Sequence, residues 1–158
     1  MEAPQDDFTW VVPNALATMG RPSNLRKALE SFREAEIGVI ISLTETALNL
    51  DILAEFDIEY HHLPINDFGA PQQAQIERFV SIVKRAQGAG VKTLAHCFAG
   101  RGRSGTMAAC YLVSLGRSPD EALEEVRALC PGAIETGEQE EAVREYARHL
   151  RRRSGRAG

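Results

Sequence analysis

The run His96-Cys97-Phe98-Ala99-Gly100-Arg101-Gly102-Arg103-Ser104 puts a cysteine six positions before an arginine, with two glycines between them. That spacing suits an anion cradle with a nucleophile in its floor. Val91 to Ala95 reads as a short buried strand, and Ser104 to Leu115 contains no charged residue, so the run joins a central strand to a buried helix. Backbone N–H groups of residues 98 to 103 would then turn inward beside the helix N-terminus, where anions are favoured. Gly100 and Gly102 permit the positive φ that such a nest needs, and Arg103 offers a planar fork to two phosphate oxygens. The same field favours the thiolate of Cys97. The expected phosphate-binding set, a P-loop, is Cys97, Phe98, Ala99, Gly100, Arg101, Gly102 and Arg103.

Splitting a phosphate ester through a covalent intermediate also needs a proton donor. Asp67 lies 30 positions before Cys97, in the loop Ile65-Asn66-Asp67-Phe68-Gly69-Ala70-Pro71 after a strand. It is the candidate general acid, and as a carboxylate it can then activate water. Asp51 and Asp57 precede that strand and suit the role less well. His96, at the strand end, would hydrogen-bond loop carbonyls and tune Cys97, or simply be a buried histidine. Ser104 would donate to the departing thiolate, or cap the next helix. Glu45 reads as a solvated loop carboxylate, with buttressing of Arg103 as the alternative.

These residues must be positioned by a scaffold, and the pattern describes one. One or two short edge strands over 8–18 surround Pro13-Asn14, and Asn24 to Ala35 has apolar residues at helical spacing. Strands are expected at Gly38 to Leu43, Ile58 to Leu63 and Val91 to His96, with a helix over Pro71 to Gln87 between the last two. Strand and helix alternate, which predicts an α/β fold: a central, mostly parallel sheet of four to five strands with helices on both faces. Ligands bind beyond the carboxyl ends of such strands, where Ser42 to Glu45, Asp67 and Cys97 converge. Ser118-Pro119-Asp120-Glu121 opens a further helix with a capping box, and Thr136 with Gln139 opens the last.

At 158 residues and 44% hydrophobic content the chain predicts a single domain, with residues 1–6 and 152–158 loose. A net charge of −4 argues against nucleic acid as a partner. No run approaches the roughly 20 apolar residues of a membrane span, so a soluble, cytoplasmic protein is expected. Nothing calls for an oligomer, and a monomer is expected. His61 and His62 alternate on a strand without a third ligand, so neither a metal nor another cofactor is predicted. Cys110 reads as core. Cys130 ends a helix returning towards Cys97, which raises a protective disulfide with it as one reading. Arg148, Arg151, Arg152, Arg153 and Arg156 read as a solvated helix end, or as a surface for an acidic partner or membrane.

The motif resembles His-Cys-x5-Arg-Ser/Thr of the cysteine-based protein tyrosine phosphatase superfamily. Phe8-Thr9-Trp10-Val11, Ile41-Ser42-Leu43-Thr44-Glu45, Asp67-Phe68, Ala109-Cys110-Tyr111-Leu112-Val113 and Ile134-Glu135-Thr136 follow the order and spacing of its small atypical dual-specificity phosphatases, the VHZ type. The resemblance implies a protein phosphatase acting on phosphotyrosine, with phosphoserine and phosphothreonine as further candidates, through a cysteinyl-phosphate intermediate. It implies Cys97 as nucleophile, Arg103 as transition-state stabiliser, Asp67 as general acid and base, and supporting roles for Ser104 and His96. Glu135 would orient water or assist proton transfer, unless it only charges a helix start. Gln139 would position water in the family's manner, or merely cap. Asn66 stands where the family often has proline before its acid. The alternatives are a phosphoinositide phosphatase, for which Arg101 would read extra charge, an RNA 5′-phosphate phosphatase, and a phosphate-binding module without turnover.

Overall fold

The computed structural model describes residues 7–157, so the loose start expected over 1–6 lies outside the described residues. Strands β1 (Thr9–Val12) and β2 (Leu16–Met19) form an antiparallel hairpin, turned at Pro13-Asn14, where Asn14 takes a φ of 66°. Helix α1 (Leu25–Glu34) starts at Asn24, whose side chain accepts from the Lys27 N–H at 3.1 Å, a cap the residue type favours. Next come β3 (Ile37–Ser42), the short α2 (Leu50–Ala54), β4 (Glu59–His62), α3 (Gln73–Gly88) and β5 (Lys92–His96). Three helices finish the described chain: α4 (Gly102–Ser114), α5 (Pro119–Leu129) and α6 (Gly137–Ala157).

The sheet order is β1-β2-β5-β3-β4, parallel except for β1, which is the α/β architecture the pattern predicts. Successive strand residues point to opposite faces. Ala17, Ile40 and Leu94 therefore pack against Leu29 and Phe32 of α1 on one side. Leu16, Ile41 and Ala95 pack on the other side against α3 to α6. Helix α4 is buried from Gly102 to Val113, which accounts for its charge-free sequence.

Two differences from the sequence reading have physical causes. Strand β2 is not an edge: it pairs with β5 in parallel, Met19 opposite His96, so its carboxyl end joins those of β3, β4 and β5. Helix α2 escapes a periodicity search because its five residues are too few to display a period. Helix α6 runs to Ala157, and its exposed, arginine-rich end carries surface ion pairs. Arg148 pairs with Glu141 and Glu145, Arg152 with Glu145 and Arg153 with Glu77 of α3. Among the described residues no helix is long and apolar enough to cross a membrane.

Candidate active site

Four segments leave the carboxyl edge of the sheet and meet there: residues 20–21, 43–47, 63–70 and 97–103. The tightest join is between the first and the last. Gly100 has a φ of +76°, and a Cβ on it would lie 2.6 Å from the Gly20 nitrogen and 2.7 Å from the Met19 carbonyl carbon. Only glycine fits there. The Cys97 N–H donates to the Met19 carbonyl at 3.4 Å and the Arg21 N–H to the Phe98 carbonyl at 3.0 Å, fastening the loop to β2. The N–H groups of residues 98–101 meet no acceptor among the described residues, and α4 begins directly behind them at Gly102. These donors and the helix N-terminus are available to an anion.

The Cys97 Sγ is buried and lies 3.3 Å from the Ser104 Oγ. Arg103 is 3% exposed; one of its terminal nitrogens donates to the Glu45 Oε1 at 2.5 Å and to the Ile65 carbonyl at 2.9 Å. The other nitrogen lies 3.5 Å from the Asp67 Oδ1. Glu45 is thus the buttress of Arg103, correcting the solvated reading; the sequence separation of 58 positions hides the contact. Its own backbone N–H, and then the Arg103 guanidinium, hold the Glu45 carboxyl below its usual range.

His96 is fully buried. Its Nε2 lies 2.5 Å from the Ser42 Oγ, which accepts from the Tyr60 hydroxyl at 2.7 Å, and that hydroxyl accepts from the Leu48 N–H at 3.0 Å. Burial first, assisted by the charges of Arg21 and Arg103, lowers the imidazole pKa to about 4, so it is neutral near pH 7. Its Nε2 then accepts from Ser42, and its Nδ1–H points to the Cys97 carbonyl at 3.4 Å. Ser42 and Tyr60 form a relay that the sequence reading missed.

The opposite wall comes from the start of α6. Gln139 is buried; its carbonyl oxygen accepts from the N–H groups of Glu135 at 2.7 Å and Thr136 at 3.2 Å, which includes one arm of the expected capping box. Its amide also donates to the Gly69 carbonyl at 3.1 Å, while the Thr136 hydroxyl donates to the Phe68 carbonyl at 3.3 Å. Gln139 therefore joins the Asp67 loop to α6 as well as capping it. Glu135 is exposed, with its Oε1 2.6 Å from the position a Cβ on Gly102 would take, so it overlies the first turn of α4.

A cleft of about 410 Å³ opens between these walls, lined by Arg21, Thr44, Glu45, Thr46, Asp67, Phe98 and Arg103. Arg101 is not part of that lining; its side chain lies exposed against Gly132. Arg21 takes the basic position at the rim instead. Its place directly after β2 is the sequence signal, and it counts only once β2 is seen to run parallel beside β5. His61 pairs with Glu59 and His62 with the Thr44 carbonyl, each at 2.7 Å, and no cluster of metal-ligating side chains occurs among the described residues. All three cysteines are free: burial drives the Cys110 pKa upward, and the Cys130 Sγ lies 4.0 Å from the Thr18 Oγ1.

Residues 5–143 match the family model described as "Swiss Army Knife protein, DSP-PTPase phosphatase domain". The chain belongs to this dual-specificity, cysteine-based tyrosine phosphatase family. Of its solved members, Tk-PTP in the G95A mutant form is 33% identical and superposes with a TM-score of 0.84, over 92% of this chain and 97% of that one. The human dual specificity protein phosphatase CDC14C is 28% identical over 147 residues, 84% of this chain and 32% of its own length. Phosphatidylglycerophosphate phosphatase PTPMT2 of Arabidopsis thaliana is 29% identical over 128 residues, 78% of this chain and 56% of its own. The chain thus spans only part of these curated relatives. In this chain Cys97 lies on the β5–α4 turn, and Arg103 and Ser104 lie in the first turn of α4.

Proposed function

We propose that the protein is a phosphomonoesterase acting on phosphotyrosine proteins, with phosphoserine and phosphothreonine as further substrates, through a cysteinyl-phosphate intermediate. The observation that carries this reading is the convergence of Arg103 and Asp67, 3.5 Å apart, on one cleft lined also by Phe98, the residue directly after the buried Cys97. The Cys97 thiolate attacks phosphorus while Arg103 and the loop N–H groups hold the equatorial oxygens. Asp67 gives its proton to the departing ester oxygen. In the second step the Asp67 carboxylate takes a proton from water as that water attacks phosphorus. The sulfur leaves as a thiolate, and Ser104, 3.3 Å away, donates a hydrogen bond to it. His96 keeps the loop carbonyl oriented, and Glu135, over the α4 start, assists the attacking water. Three free cysteines suit a reducing cytoplasm.

Phe98 is 70% exposed and Phe68 58% exposed, and both flank Asp67 or Cys97 in sequence, giving the mouth aromatic surface for a phosphorylated ring. This favours phosphotyrosine over a lipid headgroup. The lipid reading draws support from the named activity of PTPMT2 and from the cationic rim at Arg21. Comparing kcat/KM on phosphotyrosine, phosphoserine and phosphothreonine peptides with kcat/KM on phosphoinositides decides between them; a lipid preference above tenfold would overturn the protein reading. Cys97→Ser should abolish turnover yet retain phosphate binding, because the cradle survives while no alkoxide forms near neutral pH. Activity near that of the parent would remove Cys97 as nucleophile.

A further inference from the structure

We propose that Arg21 forms an anion subsite at the rim of the cleft, selecting phosphotyrosine peptides that carry an acidic side chain beside the phosphorylated residue. The proposal rests on the protein-phosphatase reading above and adds what that reading lacks, a means of choosing among phosphorylated chains. Arg21 is rigidly referenced to the cradle. Its N–H bonds the Phe98 carbonyl at 3.0 Å, and Gly20 just before it meets Gly100 too closely for any side chain on the latter. An anion held by Arg21 is therefore held at a fixed offset from a phosphate held by residues 97–103.

The charge on Arg21 is unspent. Its guanidinium donates to the Thr44 hydroxyl at 3.4 Å, the Thr46 carbonyl at 3.2 Å and the Ala47 carbonyl at 3.3 Å, all neutral acceptors. Those bonds use three of five donors and orient the plane without neutralising it. No carboxylate among the described residues pairs with it. The two carboxylates sharing the cleft lie beside Arg103: Glu45 is bonded to it and Asp67 lies 3.5 Å away. Arg21 is only partly buried, so an incoming anion reaches it with moderate desolvation.

The surface also continues in the right direction. A second depression, of about 460 Å³, is lined by Arg21, Pro22, Ser23 and Phe98, so these two depressions share Arg21 and Phe98. An extended chain whose phosphorylated ring enters the first crosses Phe98 and runs past Arg21 into the second. The lining there sets the Arg21 charge and the Ser23 hydroxyl beside the apolar faces of Pro22 and Phe98, a mixed surface that suits a peptide.

The test uses two phosphotyrosine peptides that differ only in having glutamate or glutamine flanking the phosphorylated residue. Each serves as a competitor of para-nitrophenyl phosphate hydrolysis and as a substrate. The parent protein should bind the acidic peptide about tenfold more tightly, the size of one charge-assisted hydrogen bond at a half-exposed site. That preference should shrink as salt rises. Arg21→Gln should bring the ratio of inhibition constants near one, and Arg21→Lys should keep part of it, having the charge without the fork. The ratio is taken within one preparation, so a partly misfolded variant does not disturb it, and the salt series needs no variant. A parent ratio near one, or a ratio unchanged in Arg21→Gln, would overturn the subsite. So would an Arg21→Gln effect confined to a soluble phosphoinositide headgroup. Hydrolysis of both peptides without preference would leave the protein-phosphatase reading standing and remove the subsite; preferential binding without hydrolysis would do the reverse.

Discussion

The floor and the acid-bearing wall of the cleft are built on opposite terms. The floor, Cys97 to Ser104, is backed by a buried helix, an imidazole with no solvent contact and a glycine contact that admits no Cβ. The wall, Asn66 to Ala70, is largely exposed and is held by hydrogen bonds to three side chains, Glu45 accepting from the Asp67 N–H and Thr136 and Gln139 donating to the Phe68 and Gly69 carbonyls. Phe68 even takes a φ of 61°, a conformation that costs a bulky residue about 1 kcal/mol or more and persists only under outside restraint. Charge stabilisation is thus organised by the core, whereas proton delivery is organised by a few contacts at the rim. Changes in the floor should therefore register in stability and phosphate affinity. Changes in the wall should register in the protonation of the leaving group.

The strongest way to break this division is Asp67→Asn. A general acid matters in proportion to how badly the leaving oxygen needs a proton, so kcat on phenyl phosphate or a phosphotyrosine peptide should fall about 10² to 10⁴ fold. On an activated aryl ester, whose phenolate leaves unaided, the loss should be far smaller. Inhibition by inorganic phosphate should change little, since the floor is untouched. Equal losses on good and poor leaving groups would assign Asp67 to loop geometry and turn attention to Glu135.

The floor has its own signature in acid. Burial lowers the His96 pKa to about 4, against about 6.5 in an unfolded chain. Between those values the unfolded chain holds a proton at this residue that the native protein does not. Stability therefore falls as pH drops through the window from 6.5 to 4, by about 3 kcal/mol for this group, and its contribution is then exhausted. Urea denaturation at pH 7, 5.5 and 4 measures this. His96→Asn should be less stable at pH 7 but should flatten the slope across that window. A slope identical to that of the parent would mean that other groups govern the acid response.

Legibility in the sequence followed the same division. The floor is contiguous, so its cysteine, glycines, arginine and serine announce one another, and the charge-free helix behind it is visible in composition. Much of the sheet was readable for the same local reason, since β3 carries its own apolar run, although β4 reads Glu-Tyr-His-His. What stayed hidden joins segments far apart in the chain: Glu45 to Arg103, Tyr60 through Ser42 to His96, Gln139 to Gly69. Polar side chains such as these read as caps or solvated loops until the fold brings a partner. Arg21 was lost through one topological error, because a strand taken for an edge does not point its end at the site.

The finest test of whether wall and floor are separable is Thr136, whose hydroxyl donates to the Phe68 carbonyl and accepts from the Gln139 N–H at 3.2 Å. Thr136→Val keeps the shape and removes both bonds. The lost cap should cost about 1 kcal/mol of stability. The freed loop should lower kcat on phenyl phosphate a further few-fold, because Phe68 can relax its backbone and carry Asp67 out of line. The activated ester should be nearly indifferent, the phosphate inhibition constant should hold, and Thr136→Ser should restore both stability and rate. A matched fall in phosphate affinity would mean that the wall also shapes the cradle, since the Asp67 carboxylate faces Arg103 at 3.5 Å and a shift there would pass directly to the guanidinium.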